Sequence, residues 1–172
     1  MSSSARRETS IFKLVFVSSC FNGTLFPCNL KTYLFFINSL MFWTDWGRTP
    51  KIEKSTLNGT QRVTLATSNL QWPNGITLDR QNRLVFWADA GEDRVESIDY
   101  HGNNRRLLYQ QVGYHFFGVA FLSPYLFVSE WQTKGVFKLN ASSGAIVGNV
   151  FFRVVERLMG LVPYDSSWQL PG

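Results

Sequence analysis

The sequence predicts an all-β chain made of repeated four-stranded units, and three observations carry that prediction. Aromatic residues fill 16% of the 172 positions, 15 of them Phe, and aromatic and β-branched side chains suit the pleated surface of a strand. Three segments share one pattern: Leu40-Met41-Phe42-Trp43-Thr44-Asp45-Trp46, Leu84-Val85-Phe86-Trp87-Ala88-Asp89 and Tyr125-Leu126-Phe127-Val128-Ser129-Glu130-Trp131. Phe42 and Phe86 lie 44 positions apart, and Phe86 and Phe127 lie 41 apart. A period of about 40–45 residues matches one propeller blade.

Each repeat resolves into four strands. The first starts upstream of the aromatic segment, at a glycine followed by an apolar run: Asn74-Gly75-Ile76-Thr77-Leu78-Asp79 and Phe117-Gly118-Val119-Ala120-Phe121. The second is the aromatic segment itself. Successive side chains of a strand point to opposite faces, and in Leu40-Met41-Phe42-Trp43 both sets are large and apolar. Such a strand needs cover on both sides, as when blades pack face to face. The third is the alternating Lys51-Ile52-Glu53-Lys54-Ser55, matched by Val95-Glu96-Ser97-Ile98-Asp99. Turn chemistry follows, Asn58-Gly59 in one repeat and His101-Gly102-Asn103 in the next. Asn-Gly between two alternating runs signals a tight hairpin. Residues 61–65 and 105–109 supply the fourth strand. Asp45, Asp89 and Glu130 end the second strands, where a carboxylate accepts backbone amides, a structural role rather than a catalytic one.

Composition excludes several classes. With 45% hydrophobic and 17% charged residues, the chain reads as globular. Its net charge is +5, but the basic residues are scattered, with Arg6-Arg7 and Arg105-Arg106 the densest pairs. Nucleic-acid binders cluster such residues on one face, so no nucleic-acid partner is expected. Cys20 and Cys28 allow one disulfide, which does not fix the redox compartment. No apolar run approaches the roughly 20 residues of a membrane-spanning helix. Arg6-Arg7 followed by residues 11–20 loosely resembles a signal peptide, but Lys13 interrupts the apolar part and no small-residue cleavage site follows.

Residues 1–39 lack the repeat. They are expected to form a non-homologous, poorly ordered leader, followed by propeller repeats over 40–165 and a linker stub over 166–172. The run at residues 33–39 implies T-rich codons like those at an intron's end, so the leader reads as intron-like sequence that has been translated.

Six motifs occur in register: Phe42-Trp43-Thr44-Asp45-Trp46-Gly47, Pro50-Lys51-Ile52-Glu53, Trp72-Pro73-Asn74-Gly75, Phe86-Trp87-Ala88-Asp89-Ala90, His115-Phe116-Phe117-Gly118 and Leu158-Met159-Gly160-Leu161. Together they make the segment from Leu40 to Asp165 resemble the LDL-receptor class B, or YWTD, propellers. Within that group it is similar to the LDL-receptor-related Wnt co-receptors, and more distantly to nidogen. The resemblance implies an incomplete six-bladed β-propeller of three blade-equivalents, the last three, lacking the EGF-like module that follows in the family. It also implies that residues 158–161 form the inner strand completing the first blade. Phe42, Trp43, Asp45, Phe86, Trp87, Asp89, Phe127 and Glu130 then carry the structural repeat motif.

Family members bind partner proteins on the top face through exposed aromatics and an asparagine. The resemblance carries such roles to Trp46, Trp72, Asn74, His115, Phe117 and Trp131. It implies extracellular protein ligands of Wnt or Wnt-antagonist type, an extracellular location and no cofactor. These residues follow strand 2 or begin strand 1, at one end of the blades, and aromatic side chains dominate interface hot spots. The competing reading packs Trp46 and Phe117 between blades. Three departures stand out: Phe for the usual Tyr at 42, 86 and 127, Val128-Ser129-Glu130 for Trp-Thr-Asp, and Phe116 where proline is common.

An enzyme is not expected. A calcium-dependent propeller hydrolase needs several oxygen ligands converging on one ion, whereas Asp79, Asp89, Asp99 and Glu130 each sit at a repeated structural position. His101 and His115 lie in separate loops without metal-ligand spacing, so no metal is expected. No nucleophile elbow or phosphate-binding glycine loop occurs. Asn58-Gly59-Thr60 and Asn140-Ala141-Ser142 are acceptor sequences for N-glycosylation in exposed turns, and Asn22-Gly23-Thr24 is a third. A half-ring leaves blade edges open to self-association or aggregation. The alternative reading is therefore a truncated fragment with no independent binding activity.

Overall fold

The computed structural model describes residues 15–17, 32–37, 39–151, 158 and 160–161. Strands β1 (Val15–Val17), β2 (Thr32–Ile37), β3 (Leu40–Asp45), β4 (Lys51–Thr56) and β5 (Val63–Ala66) form one sheet in that order. A second sheet holds β6 (Pro73–Asp79), β7 (Leu84–Asp89), β8 (Arg94–Asp99) and β9 (Arg106–Gln110). The third holds β10 (Phe116–Leu122), β11 (Tyr125–Glu130), β12 (Gly135–Asn140) and β13 (Ile146–Phe151). Every neighbouring pair is antiparallel. The three sheets are blades 1, 2 and 3 of a partial β-propeller, as the repeat predicts.

The boundary expected at Leu40 is crossed by the first sheet. β2 pairs with β3, Leu34 opposite Trp43 and Ile37 opposite Leu40. It thereby takes the inner position that β6 and β10 hold in the other blades. Thr32–Ile37 carries no glycine cue, which is why the repeat pattern misses it, but its residues are strand formers and the edge of β3 offers unpaired ladder groups. Residues 158–161 were expected at that inner position. At the described residues 158, 160 and 161 the chain is not in a strand. The stub at 166–172, both cysteines and Asn22 lie outside the described residues.

Alternation along each second strand builds the core between blades. Phe42, Ile52, Leu65 and Ala66 of blade 1 meet Val85, Trp87, Ile98 and Tyr100 of blade 2 in one cluster. Phe86, Ala88, Val95 and Leu108, on the other face of blade 2, meet Phe116, Leu126, Val128, Phe137 and Leu139 of blade 3. Phe42, Trp43, Phe86 and Trp87 are at most 1% exposed, and each such side chain stabilises the fold by about 1.5–3 kcal/mol through burial.

Two glycines set how closely the blades approach. A Cβ on Gly75 would lie 2.6 Å from the Phe117 carbonyl oxygen and 2.7 Å from the Val119 nitrogen. Inner strands of blades 2 and 3 touch there backbone to backbone. Gly144, in the turn from β12 to β13, has φ of +76°, and a Cβ on it would run into the Leu108 carbonyl of blade 2.

Candidate functional site

The loops at one end of the blades are tied down by the acids that terminate the second strands. Asp89 Oδ1 accepts the amides of Trp72 (2.9 Å), Gly91 (3.0 Å) and Glu92 (3.1 Å), and its Oδ2 accepts that of Gln71 at 2.9 Å. Glu130 Oε1 accepts the amides of His115 (3.1 Å) and Gln132 (2.6 Å), while Oε2 accepts the amide and hydroxyl of Thr133, both at 2.6 Å. In blade 1, Asp45 accepts the Gly47 amide at 2.8 Å. Asp89 and Glu130 thus each fix the residue that enters their own inner strand. Trp72 and His115 occupy equivalent positions, confirmed by the backbone bonds Ala90 N–H to Trp72 O (3.0 Å) and Trp131 N–H to His115 O (3.2 Å).

These ties bring most of the expected binding residues together. Trp72 is 42% exposed, and its ring centroid lies 6.5 Å from that of half-buried His115. His115 Nδ1 is 2.9 Å from the Ala90 carbonyl, which can only accept, so Nδ1 carries the proton. The same nitrogen lies 3.5 Å from Asp93 Oδ1. Phe117 stacks on Trp131 with centroids 4.5 Å apart and planes at 19°, and the Trp131 indole donates to the Leu158 carbonyl at 2.7 Å. Phe117 is 5% exposed and belongs to the core between blades, so its place is that of the competing packing reading. Trp46 is half-buried after Asp45 at the same end of blade 1.

Asn74 lies in a β-bulge, where the register of β6 and β7 shifts between Pro73 and Ile76. Its carbonyl accepts the Thr44 hydroxyl at 2.8 Å. The side chain is 3% exposed, and Oδ1 has no hydrogen-bond partner among the described residues. A buried acceptor left unpaired costs about 1–3 kcal/mol.

Among the described residues no group of three His, Cys, Asp or Glu side chains is arranged to hold a metal ion. Asp79 accepts from Gln81 N, Asn82 N and Asn82 Nδ2 at 2.7–3.1 Å. Asp99 accepts from His101 N, Asn103 N and Asn104 Nδ2, with the Asn103 amide first among the bonds that hold its carboxyl below the usual range. Asn58 is exposed, its Oδ1 accepting the Thr60 hydroxyl at 2.8 Å, while Asn140 Oδ1 accepts the amides of Ser142 and Ser143 at 3.0 Å.

The sequence reading missed a repeated stack on the outer strands. Arg62 grips Glu53 with two bonds, at 2.9 and 2.6 Å, and lies over the Trp43 ring at 5.2 Å. Arg105 grips Glu96 at 3.1 and 2.7 Å and lies over Trp87 at 5.3 Å. The signal was present: arginine follows glutamate by nine positions in both repeats. In blade 3, Phe137 stands opposite Val128 and packs with Tyr114, Phe116 and Phe151 instead.

Burial alone would raise the Glu53 carboxyl, but the bonds and charge of Arg62, with the charge of Lys51, outweigh it and hold it below the usual range. A carboxyl depressed in the folded state stabilises the fold above its unfolded value and loses that contribution as pH falls through the folded one. Stability to urea is therefore expected to drop on acidification below about pH 4.5, and Glu53→Gln flattens that part of the profile. Arg62→Ala at neutral pH leaves a buried carboxylate half-compensated, at a cost of about 2 kcal/mol.

Comparison with known proteins defines the class. Residues 39–80 match the low-density lipoprotein receptor repeat class B, and the chain is a partial propeller of the type built from that repeat. It is 32% identical over 125 residues to the human low-density lipoprotein receptor-related protein 5-like protein, covering 71% of this chain and 48% of that one. It is 35% identical over 105 residues to the Drosophila melanogaster vitellogenin receptor Yl, covering 61% of this chain and 5% of the receptor. The nidogen/laminin complex superposes with a TM-score of 0.67 at 31% identity, covering 72% of this chain and 47% of that one. Regucalcin from Agrobacterium tumefaciens, at 9% identity and a TM-score of 0.60, shares the fold alone. The chain spans about half, or far less, of the length of the curated relatives it matches.

Proposed function

We propose that the chain is part of a receptor-type propeller module that captures extracellular protein ligands, of Wnt or Wnt-antagonist type, and performs no catalysis. The observation that carries the reading is exposed Trp72, its ring 6.5 Å from that of half-buried His115, at the end of the blade where Asn74 Oδ1 has no partner among the described residues. A turn of the buried Asn74 side chain would bring that oxygen to a peptide amide, while Trp72 supplies an aromatic anchor already held by Asp89. Trp131 and Trp46 extend the same end, with Phe117 as the support beneath Trp131. No described helix is long and apolar enough to cross a membrane. An extracellular setting accords with the relatives' being receptors, and Asn58 and Asn140 would then be its glycosylation sites. Self-association through the open blade edges belongs to the same proposal.

Surface plasmon resonance of the full chain against purified Wnt proteins and secreted Wnt antagonists tests it. Trp72→Ala is expected to weaken capture by about 2 kcal/mol, roughly 30-fold, and Asn74→Ala to weaken it too. Leu107→Ala, on an outer strand, should change nothing. Loss of cooperative melting together with no capture would favour the second reading, a fragment without independent binding. That reading draws on the chain's spanning 47% of the nidogen chain it matches.

A further inference from the structure

The dipeptide Asn-Gly occurs three times in the chain, at 22–23, 58–59 and 74–75, and the first lies outside the described residues. The other two stand in opposite settings. Asn58-Gly59 forms the tip of the hairpin between β4 and β5, with both residues exposed. Asn74-Gly75 lies within β6. There Asn74 is 3% exposed, and Gly75 is held against the backbone of Phe117 and Val119 in the next blade. Glycine after asparagine leaves the following backbone nitrogen unshielded by a Cβ. That nitrogen can reach the asparagine amide carbon wherever the backbone is free to turn.

The hairpin tip prepares that approach. Asn58 Oδ1 accepts the Thr60 amide at 3.2 Å and the Thr60 hydroxyl at 2.8 Å, and the Thr56 hydroxyl donates to it at 2.6 Å. An asparagine side chain bonded to the amide two residues on is folded over the intervening peptide, here that of Gly59. The same donors polarise the Asn58 side-chain carbonyl and stabilise the oxyanion that forms when Cγ is attacked. The Gly59 amide itself donates to Thr56 O at 2.9 Å, so that bond must open first. Residues 57–60 are all exposed, and local opening of such a tip costs little. Freeing Gly75 instead requires blades 2 and 3 to part.

We propose that Asn58 is a site of spontaneous deamidation, with the Gly59 nitrogen as its nucleophile. Hydroxide or water removes the Gly59 amide proton, and the nitrogen bonds to Asn58 Cγ as the carbonyl electron pair moves onto Oδ1. When that pair returns, the Cγ–Nδ2 bond breaks, and Nδ2 takes up protons from water and leaves as ammonia. The product is a five-membered cyclic imide. Water then adds to either imide carbonyl and opens the ring, giving aspartate or, through the other bond, isoaspartate. One water is consumed and one ammonia released, and nothing is oxidised or reduced. The tip gains a negative charge and loses the Nδ2 to which a glycan would be attached, so deamidation and glycosylation compete for the same side chain.

Peptide mapping by mass spectrometry tests it, on the full chain made in bacteria without glycans and incubated at body temperature, folded or in urea. In the folded chain Asn58 is expected to convert at least about tenfold faster than Asn74, and faster still as pH rises, because the nucleophile must lose a proton. In urea both sites should convert at similar rates, so that folding protects Asn74 and leaves Asn58 reactive. Isoaspartate, read by labelling with an isoaspartyl methyltransferase, should accompany aspartate at position 58. Asn58→Gln, which could close only a six-membered ring, should abolish conversion in that peptide and leave Asn74 in urea unchanged. Folding that protects Asn58 as fully as Asn74, or aspartate formed without isoaspartate, overturns the inference.

Discussion

Trp87→Ala is expected to lower folding stability by about 4 kcal/mol, since emptying a buried tryptophan site costs about 3–5 kcal/mol. Trp87 is fully buried, packs against blade 1, and lies beneath Arg105. Truncation removes the filled volume, the cation–π contact and the ring that shields the Glu96–Arg105 pair from water. A melting temperature lowered by roughly 10–15 °C follows for a chain of this size, and scanning calorimetry reads it directly. Trp87→Phe should recover much of the loss. Trp87→Val should not, although valine is native at the equivalent position 128, because Val128 faces Phe137 whereas Trp87 faces Glu96. A loss under about 1 kcal/mol for the alanine variant would contradict close packing there.

Gly75→Ala is the second large effect, expected at about 3 kcal/mol. The added methyl meets the Phe117 carbonyl and the Val119 amide at 2.6 and 2.7 Å, and neither backbone group has a rotamer to escape into. Blades 2 and 3 must part along their inner strands. Equilibrium urea unfolding measures the cost, and hydrogen exchange should show faster exchange in β10 than in β8. Because Asn74 precedes this glycine in the bulge, ligand capture should fall as well.

The sequence reading recovered the blades because their signals are local. Paired aromatic strands, Asn-Gly turns and a steady period are properties of adjacent residues, and β3, β7 and β11 fall where the repeat predicts. β2 was not legible, since its place depends on the vacant edge of β3 rather than on any motif in Thr32–Ile37. At the candidate site, position along the chain placed the residues at one end of the blades but did not give the depth of each side chain. Trp72 and Phe117 both lie near the starts of inner strands, yet one is 42% exposed and the other 5%. That difference comes from Trp131, which stacks on Phe117 from the turn after β11. The Glu53–Arg62 and Glu96–Arg105 pairs were equally hidden, because charge on an alternating strand reads as solvent exposure until a tryptophan is placed beneath it.

The exchange of that charged stack for Phe137 and its aromatic neighbours gives the blades different responses to their surroundings. Ion pairs with a partly exposed arginine weaken as dissolved electrolyte rises, whereas contacts between hydrocarbon surfaces lose strength on cooling. Added salt should therefore loosen the outer strands of blades 1 and 2 first, and a cold solution should loosen those of blade 3.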